Sequence, residues 1–266
     1  MKNVIVPVDF SETSLNAARY AMKLLTGHYG VTMILYHHCG KPEQIAEAEQ
    51  HLELLKKDLN NLGIVKTSSL ASNGSDFITS LEQMARINQA DLVIMGITGR
   101  SAIGQTLIGS NTLKMIRQKI CPVMIIPPEC SFTDIKSVLL TSDFKKVTEK
   151  TPSVPVKKVL KPFHPELHIM NVDTEHYVAL TEEYKLEQDK LKKMFDEYNP
   201  EFHFLGLPDV SEAINQFAID LKTDLIIIVH KEQNLLSKLF VKSHTKKLVY
   251  ESRIPVLAVH ELSPTA

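Results

Sequence analysis

The sequence predicts an α/β chain built as two doubly wound parallel sheets in tandem, and three observations carry that prediction. Short continuous apolar runs recur, the first being Val4-Ile5-Val6-Pro7-Val8. Runs of this length and composition suit strands buried on both faces, as parallel strands covered by helices are. Between them lie longer segments whose apolar residues return at helical spacing. Beyond residue 130 the same succession starts again.

The first strand, Val4 to Val8, ends at Asp9-Phe10-Ser11. Ser11 suits a helix N-cap, and the helix runs through Ala17, Ala18, Ala21, Met22, Leu24 and Leu25 until Gly27 and Gly30 stop it. Val31 to His38 is the second strand, Pro42 to Leu62 an amphipathic helix closed by Gly63, and Ile64 to Ala71 a more polar third strand. Gly74 to Gln89 is a third helix with Phe77, Ile78, Leu81, Met84 and Ala85 inward. Asp91 to Met95 is the fourth strand, a helix starting near Gly104 or Gln105 reaches about Ile120, and Pro122 to Ile126 is the fifth strand.

Pro127-Pro128 breaks the pattern before its repeat. Ser137 to Phe144 echoes the first strand and its Asp-Phe ending. Leu167 to Val172 echoes the second strand, and the charged run Thr181 to Tyr198 the helix after it. Asp224 to Val229 matches Asp91 to Met95, and Ile254 to Val259 matches the fifth strand. The expected domains are therefore 1–130 and 131–266.

Four of the ten glycines fall in the stretch Gly96 to Thr112, at Gly96, Gly99, Gly104 and Gly109. Glycine at a strand-to-helix junction serves positive φ or a close backbone approach to a ligand. A helix beginning there offers unpaired N–H groups and the positive end of its dipole to a phosphate, and Ser110, Asn111 and Thr112 add side-chain donors. A phosphate-binding loop of the Walker A type is excluded, because Ser110 stands where its lysine belongs and Asn111 where its magnesium ligand belongs. A dinucleotide fingerprint is excluded too, since the turn after the first strand has no glycine. The second half has lost the glycines: Val229-His230-Lys231-Glu232-Gln233 and Lys242-Ser243-His244-Thr245 stand in their place. One site per chain is the expectation.

Net charge is −1, with 12 basic and 11 acidic residues before 131 and 18 and 20 after. That balance argues against nucleic acid or a membrane surface as partner. No apolar run approaches membrane-spanning length, and the N-terminus lacks the pattern of a secretory signal, so a cytoplasmic address is expected. Cys39, Cys121 and Cys130 lack metal-ligand spacing and read as reduced thiols.

Gly96-x2-Gly99-x9-Gly109-Ser110 after a buried strand, together with Val6-Pro7-Val8-Asp9, resembles the ATP-binding branch of the universal stress protein family, and the duplication resembles its tandem members. The resemblance implies strand order 3-2-1-4-5 in each half, with ATP, or alternatively ADP or AMP, over the carboxyl ends of strands 1 and 4 and Mg2+ on its phosphates. It places Pro7, Val8 and Asp9 at adenine and ribose, with His38 beside the adenine where the family has an apolar residue. Met95, Gly96 and Thr98 fall at the ribose and α-phosphate. Gly99, Arg100, Gly109, Ser110 and Asn111 fall along the phosphate chain, with Thr112 one residue beyond. It also implies fifth strands paired across a pseudo-two-fold axis within one chain, with a further homodimer open.

Simpler roles compete with these. Asp9 suits a helix cap, and Asp143 repeats it without the glycines. His37 and His38 point to opposite faces of a strand and cannot chelate one metal together. His164 and His168 read as surface groups ahead of a strand, and no metal site is expected. Lys242 to Thr245 suits an anion or simple capping by Ser243, and Lys185 to Lys193 reads as a solvated helix face with i,i+4 pairs. No catalytic constellation stands out. The expectation is an ATP-dependent regulator or sensor in stress, with slow hydrolysis at most. The alternatives are a ligand-free scaffold or an adenine-nucleotide α-hydrolase, the last opposed by Asp9-Phe10-Ser11-Glu12-Thr13-Ser14 where that class has a Ser-Gly-Gly-like loop.

Overall fold

The computed structural model describes residues 1–97, 110–128, 130–171, 182–204, 210–230 and 254–261. The chain divides into two compact units, Met1–Thr133 and Asp134–Ala266.

In the first unit the strands are β1 (Asn3–Pro7), β2 (Thr32–Cys39), β3 (Lys66–Asn73), β4 (Leu92–Gly96) and β5 (Val123–Ile126), and the helices are α1 (Glu12–Leu25), α2 (Ile45–Asn60), α3 (Phe77–Ile87) and α4 (Ser110–Arg117). The sheet order is β3-β2-β1-β4-β5 with every pair parallel. Right-handed crossovers then put α1 and α2 on one face and α3 and α4 on the other. The strand order reverses between β1 and β4, and at such a switch point a crevice opens beyond the carboxyl ends.

The apolar runs have the burial expected of them. Val4, Ile5, Val6, Leu92, Val93 and Ile94 are fully buried, and each such side chain contributes about 1.5–3 kcal/mol. Ser11 caps α1, its side chain accepting from Ser14 N at 3.4 Å. Gly27 and Gly30 follow α1 with φ of +86° and +76°, a backbone that residues with a Cβ rarely adopt. Ile78, Leu81 and Ala85 form the buried stripe of α3, while Phe77 and Met84 are half-buried at its margin. The three cysteines are free and buried, and burial pushes the Cys121 thiol up to about 12 and Cys130 to about 11.

The second unit contains β6 (Ser137–Ser142), α5 (Val147–Lys150), α6 (Ser153–Leu160), β7 (Glu166–Asn171), α7 (Glu182–Met194), β8 (Glu201–Phe204), α8 (Val210–Asp220), β9 (Leu225–His230) and β10 (Val256–His260). Its order, β8-β7-β6-β9-β10, is again 3-2-1-4-5 and all parallel. Four elements have no counterpart among the sequence expectations, α5, α6, β8 and α8. Of these, β8 is only four residues long, Glu-Phe-His-Phe, with no continuous apolar run.

One device fastens both units. The carboxylate of Asp91 accepts from Lys2 N, and Asp91 N donates to Asn3 O at 2.8 Å. Asp224 Oδ2 accepts from Lys136 N at 2.7 Å and Ser137 N at 2.9 Å, and Asp224 N donates to Ser137 O at 2.8 Å.

Three expectations need correction. His168 lies inside β7, not ahead of it, and is 7% exposed; the strand starts at Glu166, which turns this side chain inward. The described pairs on α7 are Glu182–Lys185 and Glu187–Lys190, spaced i,i+3 instead of i,i+4. Glu187 is buried and accepts from Val147 N at 2.7 Å, so it belongs to the packing against α5 and not to a purely solvated face. The predicted helix start near Gly104 or Gln105, Val172, Thr181 and Lys242 to Thr245 lie outside the described residues.

Candidate functional site

The crevice of the first unit is built where β1, β4 and the start of α1 meet. Pro7 ends β1 and is buried, as is Val8, whose N–H donates to Tyr36 O at 2.8 Å. Asp9 follows, exposed to solvent. Its Oδ1 accepts from Ser11 N at 3.0 Å and from Ser11 Oγ, closing a turn that points the chain into α1. Phe10 completes that turn with φ of +63°. Partial desolvation pushes the Asp9 carboxyl up, but hydrogen bonds from Ser11 and Ser14 outweigh it and hold the group below the ordinary carboxylate range. The charged form is therefore the one presented at the tip of β1.

On the other side of the crevice β4 ends in Met95, buried, and Gly96. A Cβ on Gly96 would lie 2.3 Å from Thr13 O and 2.7 Å from Thr13 C, both backbone atoms. Gly96 therefore lets the first turn of α1 come down onto β4, a packing requirement that exists before any ligand is considered. Asn111 is exposed and Thr112 is 2% exposed on the first turn of α4.

His37 and His38 part as their strand geometry demands. His37 Nδ1 donates to Val8 O at 2.7 Å, and its ring lies 4.8 Å from that of Phe10. A cavity of about 310 Å³ opens on that face, lined by Phe10, His37, Cys39, Gln44, Glu47 and His51 among others. His38 turns to the opposite face, its ring 6.2 Å from Phe77 of α3, and its Nδ1 is buried without a hydrogen-bond partner among the described residues.

Pro7, Val8, Asp9, Met95 and Gly96 thus come together at one crevice. His38 flanks the end of β2, while Asn111 and Thr112 open α4, which Ser110 begins. Thr98, Gly99, Arg100 and Gly109 lie outside the described residues.

The profile of the universal stress protein family matches residues 1–127 and 163–260. The chain belongs to the universal stress protein family. A universal stress protein of Methanocaldococcus jannaschii is 25% identical over 138 residues, 47% of this chain and 81% of that protein. One from Thermus aquaticus is 24% identical over 135 residues, 47% of this chain and 98% of that protein. Among solved structures, a universal stress protein of Archaeoglobus fulgidus superposes with a TM-score of 0.67 at 17% identity, covering 97% of this chain and 98% of its own. A putative universal stress protein of Pseudomonas aeruginosa reaches 0.66 at 14%, covering 98% and 94%. At those identities the likeness is one of fold, and it extends over both halves of this member of the family.

The equivalent crevice of the second unit lies between β6 and β9. Thr141, Ser142, Asp143, Lys145, Lys150, Thr151 and Val229 line a space of about 10 Å³, roughly that of one water-sized probe. Lys150 Nζ pairs with Glu261 at 3.0 Å. No helix of the described residues is long and apolar enough to cross a membrane.

Sequence reasoning overlooked one side-chain cluster, His168, Glu201 and His203, on adjacent strands of this unit. Burial, and then the neighbouring His168, hold the His203 imidazole below its ordinary range against the upward pull of Glu201. A polar alternation in Glu201-Phe202-His203-Phe204 is the signal that points to it.

Proposed function

We propose that the first unit of this universal stress protein binds one adenine nucleotide, ATP by preference, and that the second binds none. The observation that carries this reading is the position of Gly96, where the glycine spacing Gly96-x2-Gly99-x9-Gly109-Ser110 of the sequence begins. Gly96 ends β4, the strand paired with β1, whose own end leads to the exposed carboxylate of Asp9. A carboxylate there suits ribose hydroxyls, and buried Val8 and Met95 form an apolar floor. The start of α4 favours phosphate, with Asn111 exposed beside it. Mg2+, when bound, neutralises the phosphate charge. The nucleotide acts as a regulatory ligand, hydrolysed slowly at most, and its binding changes the surface that a protein partner reads.

The test is nucleotide content and stoichiometry. Small molecules released from the purified chain identify the nucleotide, and calorimetry with Mg-ATP on wild type and on Gly109→Val counts the sites. One ATP per chain, abolished in Gly109→Val, supports the proposal. The absence of bound nucleotide and of any heat at millimolar ATP overturns it and leaves the ligand-free scaffold.

A further inference from the structure

Along the paired strands β7 and β8, three side chains converge. His168 stands opposite Glu201 in the register, and His203 lies two residues further along β8, so all three share one face of the sheet. His168 Nδ1 lies 3.1 Å from His203 Nε2 and 3.4 Å from Glu201 Oε2, and the three ligand atoms all lie within 4.8 Å of one another. Metal–ligand bonds of about 2.0–2.1 Å in a tetrahedron give ligand-to-ligand edges of about 3.3 Å. Both short separations fall within a few tenths of an ångström of that edge.

We infer that His168, Glu201 and His203 form a binding site for a single divalent transition-metal ion of the zinc type, with a fourth position open to water. Two imidazoles and one carboxylate are a donor set that suits such ions, whereas calcium and magnesium require oxygen-rich cages. The rings are held in place before any ion arrives. His168 is buried, the two imidazole centroids are 5.2 Å apart, and the His203 ring packs 4.7 Å from Phe217 of α8. Glu201, its side chain 71% exposed, supplies both the charge and the path of entry. The site belongs to the other unit from the nucleotide crevice and differs from it in kind. It is carried by the unit that has lost its glycines, and the bound ion ties β8, the outermost strand of that unit, to its neighbour.

The competing arrangement is a plain imidazole–imidazole hydrogen bond with Glu201 alongside, and the experiment separates the two. The full untagged chain, freed of metal with a chelator, is titrated with Co2+ alone and followed by visible absorption, then by displacement with Zn2+. The site predicts one equivalent of cobalt with the intense d–d bands of low coordination and no thiolate charge transfer. The free cysteines at 39, 121 and 130 lie in the other unit and take no part. His203→Ala weakens cobalt binding by more than about 100-fold and exposed Glu201→Gln by at least about tenfold, in line with what lost ligands and their partners cost, while His164→Ala leaves it unchanged. The absence of a low-coordination cobalt spectrum in wild type, or a spectrum undiminished in a folded Glu201→Gln or His203→Ala variant, overturns the inference.

Discussion

At the end of β1 the chain reads Pro7-Val8-Asp9-Phe10, and at the end of β6 it reads Thr141-Ser142-Asp143-Phe144. The backbone repeats itself there. Asp143 Oδ1 accepts from Lys145 N at 3.2 Å as Asp9 Oδ1 does from Ser11 N, and Phe144 has φ of +52° beside +63° at Phe10. Across the crevice the repeat ends. Gly96 is matched by Val229, and the single fourteen-residue helix α1 by two pieces, α5 and α6, parted at Thr151-Pro152. The two changes belong together. A Cβ at Gly96 collides with the backbone of Thr13, so a valine there requires the following helix to take another course. The turn survives in both units because it is needed to leave the central strand. The close helix–strand contact survives only where the glycine does.

The largest effect that probes this contrast is expected from Gly96→Val, which forces a side chain into the backbone of α1 and should cost about 3 kcal/mol in denaturant unfolding of the first unit. Val229→Gly in the second unit should cost about 2 kcal/mol through lost burial alone. Equal costs would mean that the glycine does not set the helix position. Next comes the shared fastening. Asp224→Ala leaves two backbone N–H groups without their carboxylate and should lower stability by about 2 kcal/mol, and Asp91→Ala, which removes the acceptor of Lys2 N, should cost about 1 kcal/mol in the other unit. A loss confined to one of them would show that the symmetry of the device is not energetic.

Smaller still is the contrast between the twin aspartates. Asp9→Ala should weaken Mg-ATP by about tenfold, about 1.4 kcal/mol, measured by calorimetry, whereas Asp143→Ala should leave ATP binding unchanged. Asp9 also carries a pH signature. Its carboxyl is held below the ordinary range, so its contribution is complete above that range and is lost as pH falls from there through the lowered value of the folded chain. Being exposed, it is worth less than about 1 kcal/mol. Asp9→Asn should flatten the acid limb of the unfolding curve by that amount.

The sheet was legible because parallel strands buried on both faces announce themselves as apolar runs, as Val4 to Val8 and Leu225 to Val229 do. The switch-point rule then turned five strands into a crevice with named residues at its lip. β8 was not legible, since an outermost strand need not be apolar, and Glu201-Phe202-His203-Phe204 carries no continuous run. The pairing of His168 with His203 was hidden for the same reason: 35 residues separate them, and only the register of β7 on β8 brings them together. Gly96 shows a different limit. Its place at a strand-to-helix junction was plain, but a glycine admits a ligand and a neighbouring backbone alike, and only coordinates reveal Thr13 against it.

The clasp made by Asp91 and Asp224 has a consequence for how the protein is born. It joins Lys2 to Asp91 across 89 residues, and Ser137 to Asp224 across 87. β1 and β6 are the first strands of their units to leave the ribosome and the ones that must wait for partners on both sides. Pairing of this kind raises contact order and slows folding. β1 gains its second neighbour only when residues 92–96 have been made. A nascent chain arrested before that point holds a hydrophobic strand with one bare edge, and β6 is in the same position until residues 225–230 have been made.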